Sequence, residues 1–262
     1  MQNKLKAALI QADLVWENAT QNRFNFSEKI SKITKEVDVI VLPEMFSTGF
    51  TMQPKNVAEK MNGETVKWMQ KIASEKNTAI CGSVVIEENN HYYNRFLFVH
   101  PNRKIEYYNK RHLFTLSGEH TVYDSGKEKV IIEYKGWKIC LQICYDLRFP
   151  VFTRNIENYD LILYVANWPK PSILAWDSLL KARALENLAY VIGVNRVGAD
   201  ANNLAYNGHS AAYNCLGEKE SISKNENEFI EIVTLDKKHI LETRKKLNFL
   251  NDKDSFTIQY EK

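Results

Sequence analysis

Apolar and polar positions along the chain fall into blocks whose period changes. "LKAALIQAD" has strand character, and after the polar "WENATQN" the residues Phe26, Ile30, Ile33 and Val37 follow at steps of four, three and four. That spacing predicts one helix face packing on a sheet. "DVIVLPE" is apolar on every side, as a strand covered on both faces would be, and Pro43 ends it, so Glu44 sits just past its carboxyl end. Beyond the loop "MFSTGFTMQPKN", "ETVKWMQKIASEKN" predicts a helix and "TAICGSVVIEE" a strand. Two hairpins come next. "NHYYNRFLFVHPNRKIEYYNK" turns at "PNRK" and stops at Lys110, and "KVIIEYKGWKICLQICYD" stops at Cys144.

A short helix and the buried strand "DLILYVANW" are expected after Cys144, then the long helix "SILAWDSLLKARALENLAY", with Trp176, Leu180, Ala184 and Leu188 four apart. The strand "VIGVNRV", a Gly/Asn-rich loop, a further hairpin containing "EFIEIVTLD" and a basic C-terminal helix complete the pattern. Strands alternating with helices predict an α/β fold.

Composition narrows this picture. Of 262 residues 44% are apolar and 26% charged, globular proportions, and no linker divides the chain, so one domain is expected. Net charge is only +3, and the local excess Lys237, Lys238, Arg244, Lys245 and Lys246 reads as the wet face of a helix, so no nucleic-acid partner is expected. No apolar run approaches the roughly 18 residues of a membrane span, and "MQNKLKAALIQAD" does not read as a signal peptide. A cytoplasmic protein without a membrane partner is expected. The four cysteines are then free thiols, with Cys81, Cys140 and Cys215 read as core. Cys140 and Cys144 lack a second ligand pair, so no metal is expected.

Glu44, Lys110 and Cys144 each end a predicted strand, where ligand crevices of α/β sheets form. Taken singly they read as two surface charges and a core thiol. Taken together, "LPEMF", "NKRHLF" and "ICYDLRFP" resemble the three signature blocks of the nitrilase superfamily, the carbon–nitrogen hydrolases, which carry a Glu-Lys-Cys triad in that order. "DLILYVANWP" and "KARALENLAYVIGVNRVG" extend the resemblance over nearly the whole chain and look most like its ω-amidase branch. The resemblance implies a four-layer α-β-β-α sandwich spanning residues 1–262, a homodimer, and hydrolysis of the terminal amide of a 2-oxo dicarboxylic acid monoamide such as 2-oxoglutaramate.

The residue types suit that chemistry. A thiol is mostly protonated at neutral pH, so Cys144 needs a base, Glu44, and a cation, Lys110. Lys110 and the main-chain N–H of Tyr145 would hold the oxyanion. Glu44 would return its proton to the leaving nitrogen and then activate water, with no cofactor or metal required. Glu119 in "LSGEH" matches the family's second glutamate, a partner for the lysine. Asp146 and Arg148 flank the nucleophile and are read as an ion pair pinning the chain there, the alternative being Arg148 on a substrate carboxylate. Tyr145, Arg148, Asn167, Trp168 and Phe114 are the candidate substrate-binding residues. His112 and His120 are read as exposed or capping histidines rather than a Cys-His base, and Arg183 with Glu186 as a helix pair that the resemblance places toward a partner subunit. The competing readings are a nitrilase or N-carbamoyl hydrolase, a Cys-His hydrolase, and a catalytically silent binding protein.

Overall fold

A computed structural model of the chain describes residues 2–222 and 226–259. Strand β1 (Lys4–Gln11) leads through helix α1 (Ala19–Ser31) to β2 (Val39–Val41), and the short α2 (Pro54–Val57) and α3 (Glu64–Lys76) precede β3 (Ala79–Glu88), β4 (His91–Val99) and β5 (Ile105–Asn109). Next come β6 (Ile131–Tyr134), β7 (Trp137–Ile143), the short α4 (Pro150–Thr153), β8 (Leu161–Ala166), α5 (Ile173–Asn187) and β9 (Tyr190–Asn195). Three short strands, β10 (Val197–Ala199), β11 (Ala205–Asn207) and β12 (Ala211–Tyr213), lead to β13 (Phe229–Asp236) and α6 (Lys237–Leu247).

The strands form two sheets of similar plan. One has the order β13-β1-β2-β3-β4-β5 and the other β12-β9-β8-β7-β6, with a two-stranded ribbon β10-β11 apart from both. Each sheet has a parallel centre, β1-β2-β3 and β7-β8-β9, flanked by antiparallel strands. Alternation along the strands sorts the core. Leu5, Ala7, Leu9, Val39, Val41, Phe96 and Phe98 share a cluster with Ile139, Leu141 and Leu163 of the second sheet. Their alternate neighbours Ala8, Ile10, Ile40, Ile80 and Leu97 pack with Phe26 and Ile30 of α1 and Val66, Met69 and Ala73 of α3. Each such fully buried Val, Leu, Ile, Phe or Met side chain contributes about 1.5–3 kcal/mol. On the far side, Trp176, Leu180 and Ala184 of α5 cover the second sheet. The approach is close, since a Cβ on Gly193 of β9 would lie 2.6 Å from Leu180 and 2.7 Å from Trp176. The layers are therefore α-β-β-α.

The first two predicted hairpins form. β4 pairs β5, and β6 pairs β7 through Lys135 and Gly136, whose φ of 50° and 84° suit a tight two-residue turn. Three expectations change. Helix α1 ends at Ser31, where Lys32 and Ile33 bond back three residues, so Ile33 and Val37 belong to the connection into β2 although the apolar spacing continues. "EFIEIVTLD" makes no hairpin: β13 instead covers the edge of β1 in eight antiparallel pairs, Lys4↔Asp236 to Gln11↔Phe229. Cys81 and Cys140 lie in strands, whereas Cys215 is buried in a turn, and all four cysteines are free. The basic helix α6 is not uniformly wet, because Arg244 reaches inward to the carbonyls of Leu188 and Tyr159. Among the described residues no helix is long and apolar enough to cross a membrane.

Candidate active site

Three strand ends meet between the sheets. After β2 the chain passes Glu44 and bends at Met45 (φ 43°), whose N–H donates to Ser83 Oγ at 2.8 Å. After β5 the Lys110 N–H donates to the Asn94 carbonyl at 2.9 Å. From the second sheet β7 ends at Ile143, and Cys144, with φ 44°, opens a short 3₁₀ turn through Arg148. A left-handed cysteine costs roughly 1–3 kcal/mol and persists only where its surroundings fix it. Asp146 does so here, accepting the Ile143 N–H at 3.0 Å, the Tyr108 hydroxyl at 2.8 Å, the His112 N–H at 2.9 Å and the His112 Nδ1 at 2.8 Å.

Lys110 Nζ lies 2.9 Å from Glu44 Oε1 and 3.0 Å from each Glu119 oxygen, and 5.1 Å from the Phe50 ring centroid. Glu44 Oε1 also accepts Asn94 Nδ2 at 2.7 Å, and its Oε2 accepts the Asn167 N–H at 2.8 Å. Asn167 Nδ2 closes the loop on the Glu44 carbonyl at 2.6 Å. Glu119 Oε2 accepts the Phe114 N–H at 2.6 Å. Glu44, Lys110 and Glu119 are fully or almost fully buried.

Two carboxylates and one ammonium share this buried site, and they shift one another's titration. Burial alone would lower the Lys110 pKa, but Glu119 and Glu44 outweigh it and hold the ammonium above its ordinary range. Burial raises the Glu119 carboxyl, with Lys110 opposing and Glu44 adding. Burial, followed by the charge of Glu44, pushes the Cys144 thiol well above its ordinary value, more than Lys110 pulls it down. The resting sulfur therefore keeps its proton, with the Glu44 carboxylate among the groups that hold it there.

A cavity of about 280 Å³ opens onto these groups. Its walls include Tyr145, Arg148, Asn167, Trp168 and Phe114, all five residues expected to touch substrate, together with Phe50 and Tyr206. A model of the carbon–nitrogen hydrolase family matches residues 6–245. The chain belongs to the carbon–nitrogen hydrolase family. Across 214 residues it is 47% identical to the omega-amidase YafV of Escherichia coli, covering 82% of this chain and 83% of that one. It is 32% identical to the 2-oxoglutaramate amidase of Bacillus subtilis, over 79% of this chain and 82% of that one. A crystal structure of a CN-hydrolase superfamily protein from Xanthomonas campestris, with an arsenic adduct in its active site, is 38% identical. It superposes with a TM-score of 0.96, covering 98% of this chain and 100% of that one.

Within this carbon–nitrogen hydrolase site two readings are overturned. Asp146 does not pair with Arg148, because its oxygens are already committed to Ile143, Tyr108 and His112. The Arg148 guanidinium instead lies over the Trp168 ring, 4.8 Å from its centroid. His112 is likewise no exposed or capping residue: it is partly buried, paired to Asp146 and stacked on Phe149. His120 is exposed, and Arg183 does pair with Glu186 at 3.0 Å. Arg183 also donates to the Leu147 carbonyl of the turn that opens at Cys144, at 2.6 Å. Asn94 was missed. Its signal was an amide next to Arg95 in the middle of a strand, "YYNRFLF", whose other residues are aromatic or apolar. No cluster of three or more His, Cys, Asp or Glu suited to a metal occurs among the described residues.

Proposed function

We propose that the chain hydrolyses the terminal amide of small 2-oxo dicarboxylic acid monoamides, such as 2-oxoglutaramate, to the acid and ammonia. Cys144 Sγ gives its proton to Glu44 and bonds to the amide carbon, while Lys110 and the Tyr145 N–H hold the charge that forms on oxygen. One such donor is worth about 3 kcal/mol, or roughly a hundredfold in rate. The C–N bond breaks as Glu44 returns the proton and ammonia leaves. Water, deprotonated by the same carboxylate, then cleaves the thioester and regenerates the thiol. Glu119 keeps Lys110 charged and in place.

Arg148 carries the substrate assignment. Its guanidinium lines the cavity against Trp168 and has no ion-pair partner among the described residues, so a carboxylate at the far end of the substrate would complete it. The names of the Escherichia coli and Bacillus subtilis relatives support the same reading. The reading also includes a homodimer, supported by Leu174 and Leu185 exposed on α5, and a cytoplasmic site, supported by four free thiols.

The test measures ammonia released from 2-oxoglutaramate beside a nitrile and an N-carbamoyl panel. Arg148→Gln should raise KM for 2-oxoglutaramate about ten- to a hundredfold, the loss of one charge-assisted contact, and leave KM for an uncharged amide unchanged. Activity confined to nitriles or carbamoyl compounds would end the ω-amidase reading. Absence of any acyl adduct on Cys144 would favour a silent binding protein.

A further inference from the structure

We propose that Asp146 and His112 form a positioning pair that sets the lysine and the thiol at their working separation, an inference that rests on the amidase reading above. The fully buried Asp146 carboxylate gathers donors from two chain segments. Three come from the stretch bearing the lysine: the Tyr108 hydroxyl, two residues before Lys110, and the N–H and ring nitrogen of His112, two residues after it. The fourth is the N–H of Ile143, the residue before the nucleophile. The Tyr108 hydroxyl in turn accepts the Arg111 N–H at 2.9 Å, so both flanks of Lys110 are tied to one group. Burial and Asp146 raise the Tyr108 pKa, which keeps this hydroxyl a donor.

The ring of His112 is held as tightly as its hydrogen bonds. It lies flat on Phe149, centroids 3.8 Å apart and planes 5° apart, and Phe149 meets the cavity wall Tyr145 edge-on at 5.1 Å. A carboxylate partner requires the hydrogen on Nδ1. Among the described residues His112 makes no hydrogen bond to Cys144 and does not line the cavity, which leaves it a different task. Lys110 comes from the first sheet and Cys144 from the second, and the Asp146 clamp spans the two. A shift of about 1 Å between reacting groups costs roughly a hundredfold in rate, so loosening the clamp should slow chemistry without weakening binding.

A purely structural pair would change stability and leave the chemical step alone, and two variants separate the possibilities. His112→Phe keeps a ring on Phe149 and removes the Nδ1 donor, whereas His112→Asn keeps an amide donor near the Nδ1 position and removes the stack. The expected result with 2-oxoglutaramate is a kcat about ten- to a hundredfold lower for the Phe variant, KM within about twofold, and recovery to within about threefold of wild type for the Asn variant. Alkylation of Cys144 by iodoacetamide, which forms no oxyanion, should stay within about twofold in both. A wild-type kcat in the Phe variant, or equal losses in the two, overturns the proposal. If the Phe variant does not fold, Tyr108→Phe removes another donor to the same carboxylate and should lower kcat severalfold at constant KM; a wild-type value there also overturns it. Failure of the wild-type protein to release ammonia would instead strike the amidase reading.

Discussion

The two ends of the central parallel strands carry charge in opposite ways. At the amino end Asp38 opens β2 and Asp160 opens β8. Asp38 accepts the Lys6 N–H at 2.8 Å, Gln2 Nε2 at 2.9 Å and the Lys135 ammonium; Asp160 accepts the Lys138 N–H at 2.9 Å and Lys237 Nζ at 2.8 Å. Each carboxylate there has a cation of its own, and the cations reach solvent, with Lys135 35% exposed. At the carboxyl end Glu44 and Glu119 share one ammonium with no solvent contact. The amino end is arranged for stability. The carboxyl end keeps charge uncompensated beside the Cys144 thiol.

Substitutions at the two ends should therefore move different quantities. Cys144→Ala, the largest effect expected, should lower kcat/KM by at least about 10⁴ while the melting temperature stays close to wild type. Glu44→Gln should lose roughly a thousandfold and show neither acyl-enzyme formation nor thioester turnover in single-turnover mass spectrometry, because an amide cannot carry the proton. Glu119→Gln should lose about ten- to a hundredfold in kcat yet melt about 2–4 °C higher, near 1 kcal/mol, since it relieves a buried like-charge pair. Asp38→Asn should do the reverse, costing about 1–2 kcal/mol by denaturant titration with kcat within twofold. A catalytic loss at Asp38 matching that at Glu119 would erase the distinction between the ends.

Acidity sharpens the contrast further. Asp38 is held below its ordinary 3.8, its burial outweighed by hydrogen bonds from Lys135, the Lys6 N–H and Gln2, so its contribution is complete above that value and fades as pH falls through the lowered one. Glu119 is raised above its ordinary 4.5 by burial, so its contribution is complete below 4.5 and fades as pH rises through the raised value. Thermal melts across pH should show the Asp38→Asn deficit vanishing in acid. The Glu119→Gln gain should instead grow toward neutral pH.

Much of this was legible in the chain. Period changes mark where β2, β5 and β7 stop, and Glu44, Lys110 and Cys144 stand at those stops, so the candidate set follows from one-dimensional pattern plus resemblance. What pattern does not carry is long-range pairing. β13 has the alternation of a hairpin arm, and only the free edge of β1 decides where it goes. Asp146 and Arg148 are two apart and of opposite sign, which suggests a local pair, but Tyr108 and His112 reach Asp146 from a segment more than 30 residues away. Asn94 stands out as an amide within a strand, but nothing local names its partner, since Glu44 is 50 residues distant.

Strand β2 is only Val39–Val41, and it joins an aspartate anchored at one rim of the sheet to a glutamate anchored at the other. It works as a spacer of fixed span. A single residue added or removed between Asp38 and Glu44 would invert the facing of the side chains that follow and detach one anchor or the other. Length variation should thus be forbidden in this segment, though insertions are tolerated in the solvent-exposed loops.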